Sequence, residues 1–139
     1  MKKDAIITIK NTQTVDGEPE LIQMTVTGSV EHRDHESVIE YIENNEDFGN
    51  ERVTVTVTDG QCVSIVRRGS FSSEMTVQQN VRHHTFYQTP YGEFTMGIYG
   101  NSVNWFKNGA KCVLKLDYTL DFNNGYVSQN SMKIFIEEK

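Results

Sequence analysis

The sequence predicts an all-β fold, a closed antiparallel up-and-down barrel of about nine to ten strands. Apolar and polar residues alternate with a period of two almost from end to end, which is typical of strands with one buried face. Pairs of Gly, Asn and Asp separate these runs at hairpin spacing. No linker or shift in composition divides the chain, so residues 1–139 are expected to form one domain.

Runs of alternating apolar residues mark the individual strands. Turn signals lie between the runs at 16–17, 59–60, 90–92, 108–109 and 123–125. The last two strands are long and apolar, and as open edges they would be prone to aggregation. Gly28 and Gly97 lie inside strands, where they allow sharp coiling. Both features favour a closed barrel over a sandwich. The clearest runs are Ile22, Met24, Val26 and Val30; Val53, Val55 and Val57; Phe94, Met96 and Ile98; Leu114, Leu116, Tyr118, Leu120 and Phe122; and Met132, Ile134 and Ile136.

One segment fits two kinds of secondary structure. Val38, Ile39, Tyr41 and Ile42 form a helical i, i+3, i+4 stripe, but they are also consistent with a strand. The pattern alone leaves helix and strand equally open.

Composition and charge exclude several classes of protein. The chain has 13 basic and 19 acidic residues, and its formal net charge of −6 would repel a phosphate backbone, so we expect no nucleic acid partner. No window approaches the roughly 18 apolar residues of a membrane helix and no signal-peptide run is present, which predicts a cytoplasmic protein without a membrane partner. Cys62 and Cys112 lack a CxxC spacing and are expected to be free, mostly buried thiols.

The turn at 89–92 determines which residues of the preceding strand face inward. A two-residue loop would place His83 opposite Ile98. A type I turn followed by Gly92 in the left-handed conformation, forming a bulge, would instead place His84 opposite Ile98 and turn His83 outward. Because this turn favours proline at its second position and glycine at its fourth, we predict the bulged register.

These residues also carry a family resemblance. The chain resembles the YwiB-like family of uncharacterised bacterial proteins over nearly its whole length. The resemblance implies a closed calycin-like barrel, related in architecture to lipocalins, and implies that 37–43 is a strand. It implies no activity, since the family is one of unknown function. Residues 31–36 and His84 depart from the family pattern, so no role is carried over to them. The resemblance rests on Arg67, Gly69, Ser72, Met75, His83, Tyr87, Thr89, Pro90, Gly92, Met96 and Ile98.

Arg67, His83, Tyr87 and Thr89 are the candidate ligand-binding residues. Arginine offers a bidentate fork to a carboxylate, and tyrosine and histidine supply directed hydrogen bonds, so the set suits a small anionic or carbonyl-bearing molecule. Each residue also has a structural interpretation, since Arg67 could extend over the barrel rim and Tyr87 could cap a neighbouring loop.

Other candidate chemistry is weaker. On a strand His32, Asp34 and Glu36 would share a face, which could begin a metal site, but a solvated hairpin tip explains them better and we predict no metal or cofactor. Serines at 70, 72 and 73 could pair with His83 or His84, yet no GxSxG motif accompanies them, so we predict no catalytic residue and no enzyme.

The sequence therefore predicts a non-catalytic barrel that binds a small, partly apolar or anionic molecule. The alternative is a protein-interaction or structural module whose interior is packed with side chains and whose exterior binds a partner. Trp105 and Phe106 could form such a contact patch, although a rim-closing aromatic is the better interpretation of the pair. Cavity volume distinguishes the two hypotheses.

Overall fold

The computed structural model describes residues 2–45, 49–69, 72–89, 92–122 and 126–139, with the side chains at 45, 86–89, 94, 122 and 126–127 excepted. Every regular element in these residues is a strand, and no helix among them is long and apolar enough to cross a membrane. The strands are β1 (Lys2–Val15), β2 (Glu18–His32), β3 (Glu36–Asn45), β4 (Gly49–Thr58), β5 (Cys62–Arg68), β6 (Ser73–Gln78), β7 (Arg82–Thr89), β8 (Gly92–Asn108), β9 (Lys111–Phe122) and β10 (Tyr126–Glu138).

The strands form a closed antiparallel barrel in which each strand pairs with its neighbours in sequence and β1 pairs with β10. This confirms the predicted all-β barrel. Alternate residues of each strand point into one core, which consists almost entirely of β-branched and other aliphatic side chains. The largest fully buried side chains are Ile7, Val30, Ile39, Val53, Val55, Val57, Val63, Ile98, Leu114, Leu116, Ile134 and Ile136.

The ambiguous segment is a strand, as the resemblance implied. β3 pairs with β4 along its whole length and with β2 at one end. Ile39 and Tyr41 are buried on the inner face, whereas Ile42 is exposed. The apolar residues that suggested a helical stripe therefore belong to both faces of a strand.

The predicted bulged register between β7 and β8 is wrong. Thr89 pairs directly with Gly92, which leaves a two-residue loop, and His83 lies opposite the buried Ile98. The φ of Gly92 is 126°, far from the left-handed helical value of about 57° that the bulge requires. His84, predicted to face inward, is exposed. The irregularity of β8 lies instead between Gly100 and Ser102, where its pairing with β9 shifts.

Two seams of the barrel are only partly paired. β2 and β3 pair over Gly28–His32 and Ser37–Tyr41, so the first half of β2 has no ladder to β3. In the described residues β6 and β7 pair as strands only at Ser73 and Tyr87. Side chains bridge this second seam, because His83 hydrogen-bonds to Gln78 and Thr85 Oγ1 donates to the carbonyl of Glu74.

Gly28 pairs with Ala5 of β1 on one side and with Tyr41 of β3 on the other. A Cβ at this position would be 2.2 Å from the carbonyl oxygen of Glu40 and 2.7 Å from Cδ1 of Ile7. The first of these atoms is backbone, so neither strand could move away without disturbing the ladder. The absence of a side chain at Gly28 thus permits the end of β2 to close on β3.

Gly28→Ala should lower the free energy of unfolding by about 1 to 3 kcal/mol, the usual cost of overpacking. The neighbouring exposed Thr27, changed to Ala, should alter it by no more than about 0.5 kcal/mol. Urea denaturation of both variants measures the difference. Equal effects of the two substitutions would contradict this account of Gly28.

Candidate functional site

A cavity of about 280 Å³ lies inside the barrel and is partly open to solvent. It is displaced toward the end at which β1 turns into β2 and β5 into β6, called here the Arg67 end. The opposite end, where β2 turns into β3, is called the His32 end. The cavity is lined by Asn11, Gln13, Ile65, Arg67, Ser73, Glu74, Met75, Met96, Tyr118, Leu120, Asn130 and Met132.

Arg67 is the cationic residue of the lining. It continues the inward row of β5 after the buried Val63 and Ile65, and its Nη1 donates to a carboxylate oxygen of Glu43 on β3. Both side chains are about 30% exposed, so the ion pair is held mostly within the barrel. Burial opposes the charge of Arg67, but Glu43, Tyr41 and Glu51 outweigh it and raise the pKa of Arg67 above its ordinary value.

Two buried tyrosines accompany Arg67. Burial raises the pKa of Tyr41 to about 12, and burial likewise raises the pKa of Tyr118 to about 12, although Arg67 pulls both values down. Their hydroxyl groups therefore remain protonated at neutral pH. They supply polarity to this end of the barrel without adding a negative charge.

Amide side chains from β1 and β10 form another part of the lining. Asn130 Nδ2 donates to Ser128 Oγ over 3.1 Å, and Gln13 Nε2 lies 3.5 Å from the same oxygen. Among the described side chains, Asn11 Oδ1 is the buried oxygen that has no hydrogen-bond partner. An unpaired buried acceptor is costly, so a donor from a water or a ligand would stabilise it.

Of the four predicted site residues, the structure describes the side chains of Arg67 and His83, and these two do not line the same cavity. Arg67 lines the cavity as the ligand hypothesis required. His83 faces inward but bonds to Gln78 Oε1 over 2.9 Å and is not part of the described lining. The backbones of Tyr87 and Thr89 pair with Phe94 and Gly92, whereas the side chains of both residues lie outside the described part of the structure.

The sequence analysis missed Glu43 and the amide residues. The sequence did contain a pattern that could have indicated them. Each of these residues continues the alternate, inward-facing positions of its strand, and those positions change from apolar to polar toward the Arg67 end. Glu43 follows Ile39 and Tyr41 on β3, and Asn11 follows Ile7 and Ile9 on β1. A polar residue continuing an apolar row indicates a site or a solvent-filled space at that end of a barrel.

At the His32 end the side chains that were weighed as a metal site, His32 and Glu36 among them, have other partners. His32 Nδ1 lies 2.8 Å from Ser37 Oγ, whereas Glu36 accepts a hydrogen bond from Arg33 in the turn. In the described ranges no group of three or more His, Cys, Asp or Glu side chains is placed to hold a metal ion.

Cys112 lies beside His32, in an environment that does not favour a reactive thiol. His32 Nε2 lies 3.8 Å from Cys112 Sγ and 3.4 Å from a carboxylate oxygen of Glu138. Burial and the nearby Lys107 lower the pKa of His32, and burial together with Glu138 raises the pKa of Cys112. Both shifts favour the neutral thiol and neutral imidazole, the opposite of a thiolate–imidazolium pair. Cys62 and Cys112 are free, as predicted.

Trp105 covers the core at the same end of the barrel. Its ring centroid lies 6.4 Å from that of His32, and its side chain is partly buried against core residues. Phe106 is 56% exposed, with Lys115 Nζ 5.9 Å above its ring. This arrangement fits the interpretation of Trp105 as a rim-closing aromatic.

Fold and site together define a class: a ten-stranded antiparallel β-barrel with a small interior cavity of mixed polarity. Residues 7–134 match the family model described as a domain of unknown function, DUF1934, and the chain belongs to this family. No curated protein matches the chain.

Among solved structures, the ywiB protein from Bacillus subtilis is similar to the whole chain. Its TM-score is 0.86 at 20% sequence identity, with 99% of this chain and 93% of that chain covered, which establishes the shared fold. A protein of unknown function from Bacteroides ovatus aligns at a TM-score of 0.38 and 11% identity, covering 99% of this chain and 41% of that one. That second likeness carries no argument. The family and the B. subtilis neighbour confirm the YwiB-like resemblance.

The Arg67–Glu43 pair should show strong energetic coupling. We expect Arg67→Met to lower the free energy of unfolding by about 1 to 3 kcal/mol, because Glu43 and Glu51 lose the cation near them. The cost is smaller than for a fully buried pair, since the side chains of Arg67 and Glu43 are partly exposed. Combining Arg67→Met with Glu43→Gln should cost less than the sum of the two single changes. The exposed Arg33–Glu36 pair is the matched control and should couple far more weakly, because water and salt screen it. Equal coupling in the two urea-denaturation cycles would contradict this expectation.

His32 should make the protein less stable in weak acid. Its pKa is lowered by folding, so as the pH falls below the unfolded value of about 6.5 the unfolded chain binds a proton that the folded chain refuses. The contribution of His32 to the free energy of unfolding is thus fully present above that pH, and it is lost as the pH falls toward the folded pKa. Between pH of about 8 and 5.5, His32→Gln should lose less unfolding free energy than the wild type, as measured by urea titration. A parallel decline of both proteins would refute the assignment.

Proposed function

We propose that the chain is a non-catalytic binding barrel that holds a small, partly apolar molecule in the cavity at the Arg67 end. The observation that carries this proposal is the cavity of about 280 Å³, because a barrel that served only as a scaffold would fill its interior with side chains. The volume is just below the range of about 300 to 1,000 Å³ typical of drug-sized ligands. The ligand should therefore be small.

The lining suits a molecule with two unlike ends. Met75, Met96 and Met132 offer unbranched, adaptable side chains to a hydrocarbon portion. Arg67 and the amides can orient a polar group by directed hydrogen bonds. A few polar groups in a mostly apolar enclosure are the usual composition of a small-molecule site.

The absence of catalysis is also part of the proposal. The described contacts of His83 and His32 involve Gln78, Ser37, Cys112 and Glu138 and do not give a base paired with an activated nucleophile. A cytoplasmic location fits two free thiols, and a formal net charge of −6 disfavours nucleic acid.

The second candidate function is binding of a partner protein on the outside of the barrel. Leu21 is 62% exposed on the outer face of the half of β2 that has no ladder to β3, whereas Ile22, 58% exposed, lies on the opposite face of the strand. An exposed apolar residue beside an unpaired strand edge is a feature of interaction surfaces. This function does not require the cavity, so the two candidates can be tested separately.

Native mass spectrometry of protein purified from its own host tests the first candidate. We expect a retained small molecule, or stabilisation by several degrees by at least one member of a metabolite panel. Met96→Trp, which adds an indole at the cavity wall, should abolish the adduct and the shift, whereas Thr95→Trp on the outer face of the same strand should preserve them. A barrel without any adduct or thermal shift would refute ligand binding.

A further inference from the structure

The charge balance around the cavity points to one class of ligand. Arg67 alone would suit an anion, but its guanidinium is already paired with Glu43 and lies in the field of the buried Glu51. Arg67, Glu43 and Glu51 together carry a formal charge of −1, counted as one cation against two carboxylates, and Glu74 of the lining adds a further carboxylate. A ligand carboxylate placed beside Arg67 would have to displace Glu43 or be repelled by both acids.

Among the described residues, the neighbouring strands add no further cation to the inside of this end. Arg52 and Arg68 pair with each other across β4 and β5, but both are exposed on the outer face. An approaching anion therefore meets excess negative charge at the cavity.

The amide part of the lining also offers a buried acceptor to a donor on the ligand. One N–H of Asn130 and one N–H of Gln13 are directed at Ser128 Oγ. Asn11 Oδ1 is buried and accepts no hydrogen bond from the described residues. An ammonium group has three N–H donors and no acceptor, which matches an orphaned carbonyl oxygen in an acidic environment.

We infer that the cavity binds a small amphipathic primary amine, with its ammonium group near Asn11 and its hydrocarbon part against the methionines of the lining. This inference rests on the proposed ligand-binding function and specifies the ligand's chemistry. The Arg67–Glu43 pair then acts as a charge filter, since Glu43 keeps Arg67 from attracting carboxylates. The attraction is electrostatic and weakens as salt is added.

Three probes of equal chain length test the inference: hexylamine, 1-hexanol and hexanoate at pH about 7, where the amine is cationic and the acid anionic. Calorimetric titration of the wild type should give tighter binding of hexylamine than of hexanoate, on the order of tenfold or more. Hexanol should lie between them. Hexanoate binding as tightly as hexylamine, hexanol equal to hexylamine, or no binding of hexylamine would each overturn the inference.

Substitution of Glu43 supplies a second test. Glu43→Gln releases Arg67 and changes the summed formal charge of Arg67, Glu43 and Glu51 from −1 to 0, so the binding preference should shift toward hexanoate by on the order of tenfold. Glu40→Gln is the matched control, because Glu40 belongs to the same strand but contacts Lys2 and Arg52 on the outer face. An unchanged preference in Glu43→Gln, or an equal change in both variants, would overturn the role assigned to Glu43.

The two proposals fail in different ways. If the protein from its host carries an acidic molecule that Met96→Trp expels, the binding function stands and the amine inference is wrong. If no molecule and no panel member binds, the binding function itself fails. Circular dichroism of each variant confirms that a lost signal reflects binding and not unfolding.

Discussion

Closure of the strand ladder is the constraint on which the rest of this structure depends. In a closed antiparallel barrel, residues directly opposite each other share a face, so the inward row of one strand determines the inward row of the next. A shift of one residue at any hairpin would turn a whole strand over. The β7–β8 hairpin shows this, because direct pairing of Thr89 with Gly92 places His83, and not His84, opposite Ile98.

The same closure brings polar residues from distant strands to one end of the interior. Arg67 on β5 meets Glu43 on β3, while Asn11 and Asn130 come from β1 and β10. Apolar side chains of similar size would fill that space at lower desolvation cost, since burying an ion pair gains little stability over a hydrophobic replacement. A polar layer that leaves a cavity therefore supports the proposed binding function.

Some of this could be predicted from the sequence and some could not. Period-two alternation and turn residues predicted the barrel. The lack of a CxxC spacing between Cys62 and Cys112 predicted free thiols. The register at 89–92 was predicted wrongly, because the turn residues suit both loop types and the buried Ile98 faces inward in either register. The partner of Arg67 is 24 positions away, on a strand whose own secondary structure was ambiguous, so the ion pair required the three-dimensional structure.

The seam between β6 and β7 changes how the family-like residues are understood. Where the ladder is reduced to the pair of Ser73 and Tyr87, side-chain hydrogen bonds from His83 and Thr85 hold the two strands together. The His83 ring hydrogen-bonds to Gln78, and this structural contact accounts for the histidine without a ligand. Two residues of the motif thus differ in position: His83 on β7 hydrogen-bonds to a side chain of the neighbouring strand β6, and Arg67 contacts the space inside the barrel. A search for the ligand should accordingly start from the polar ends of the inward rows.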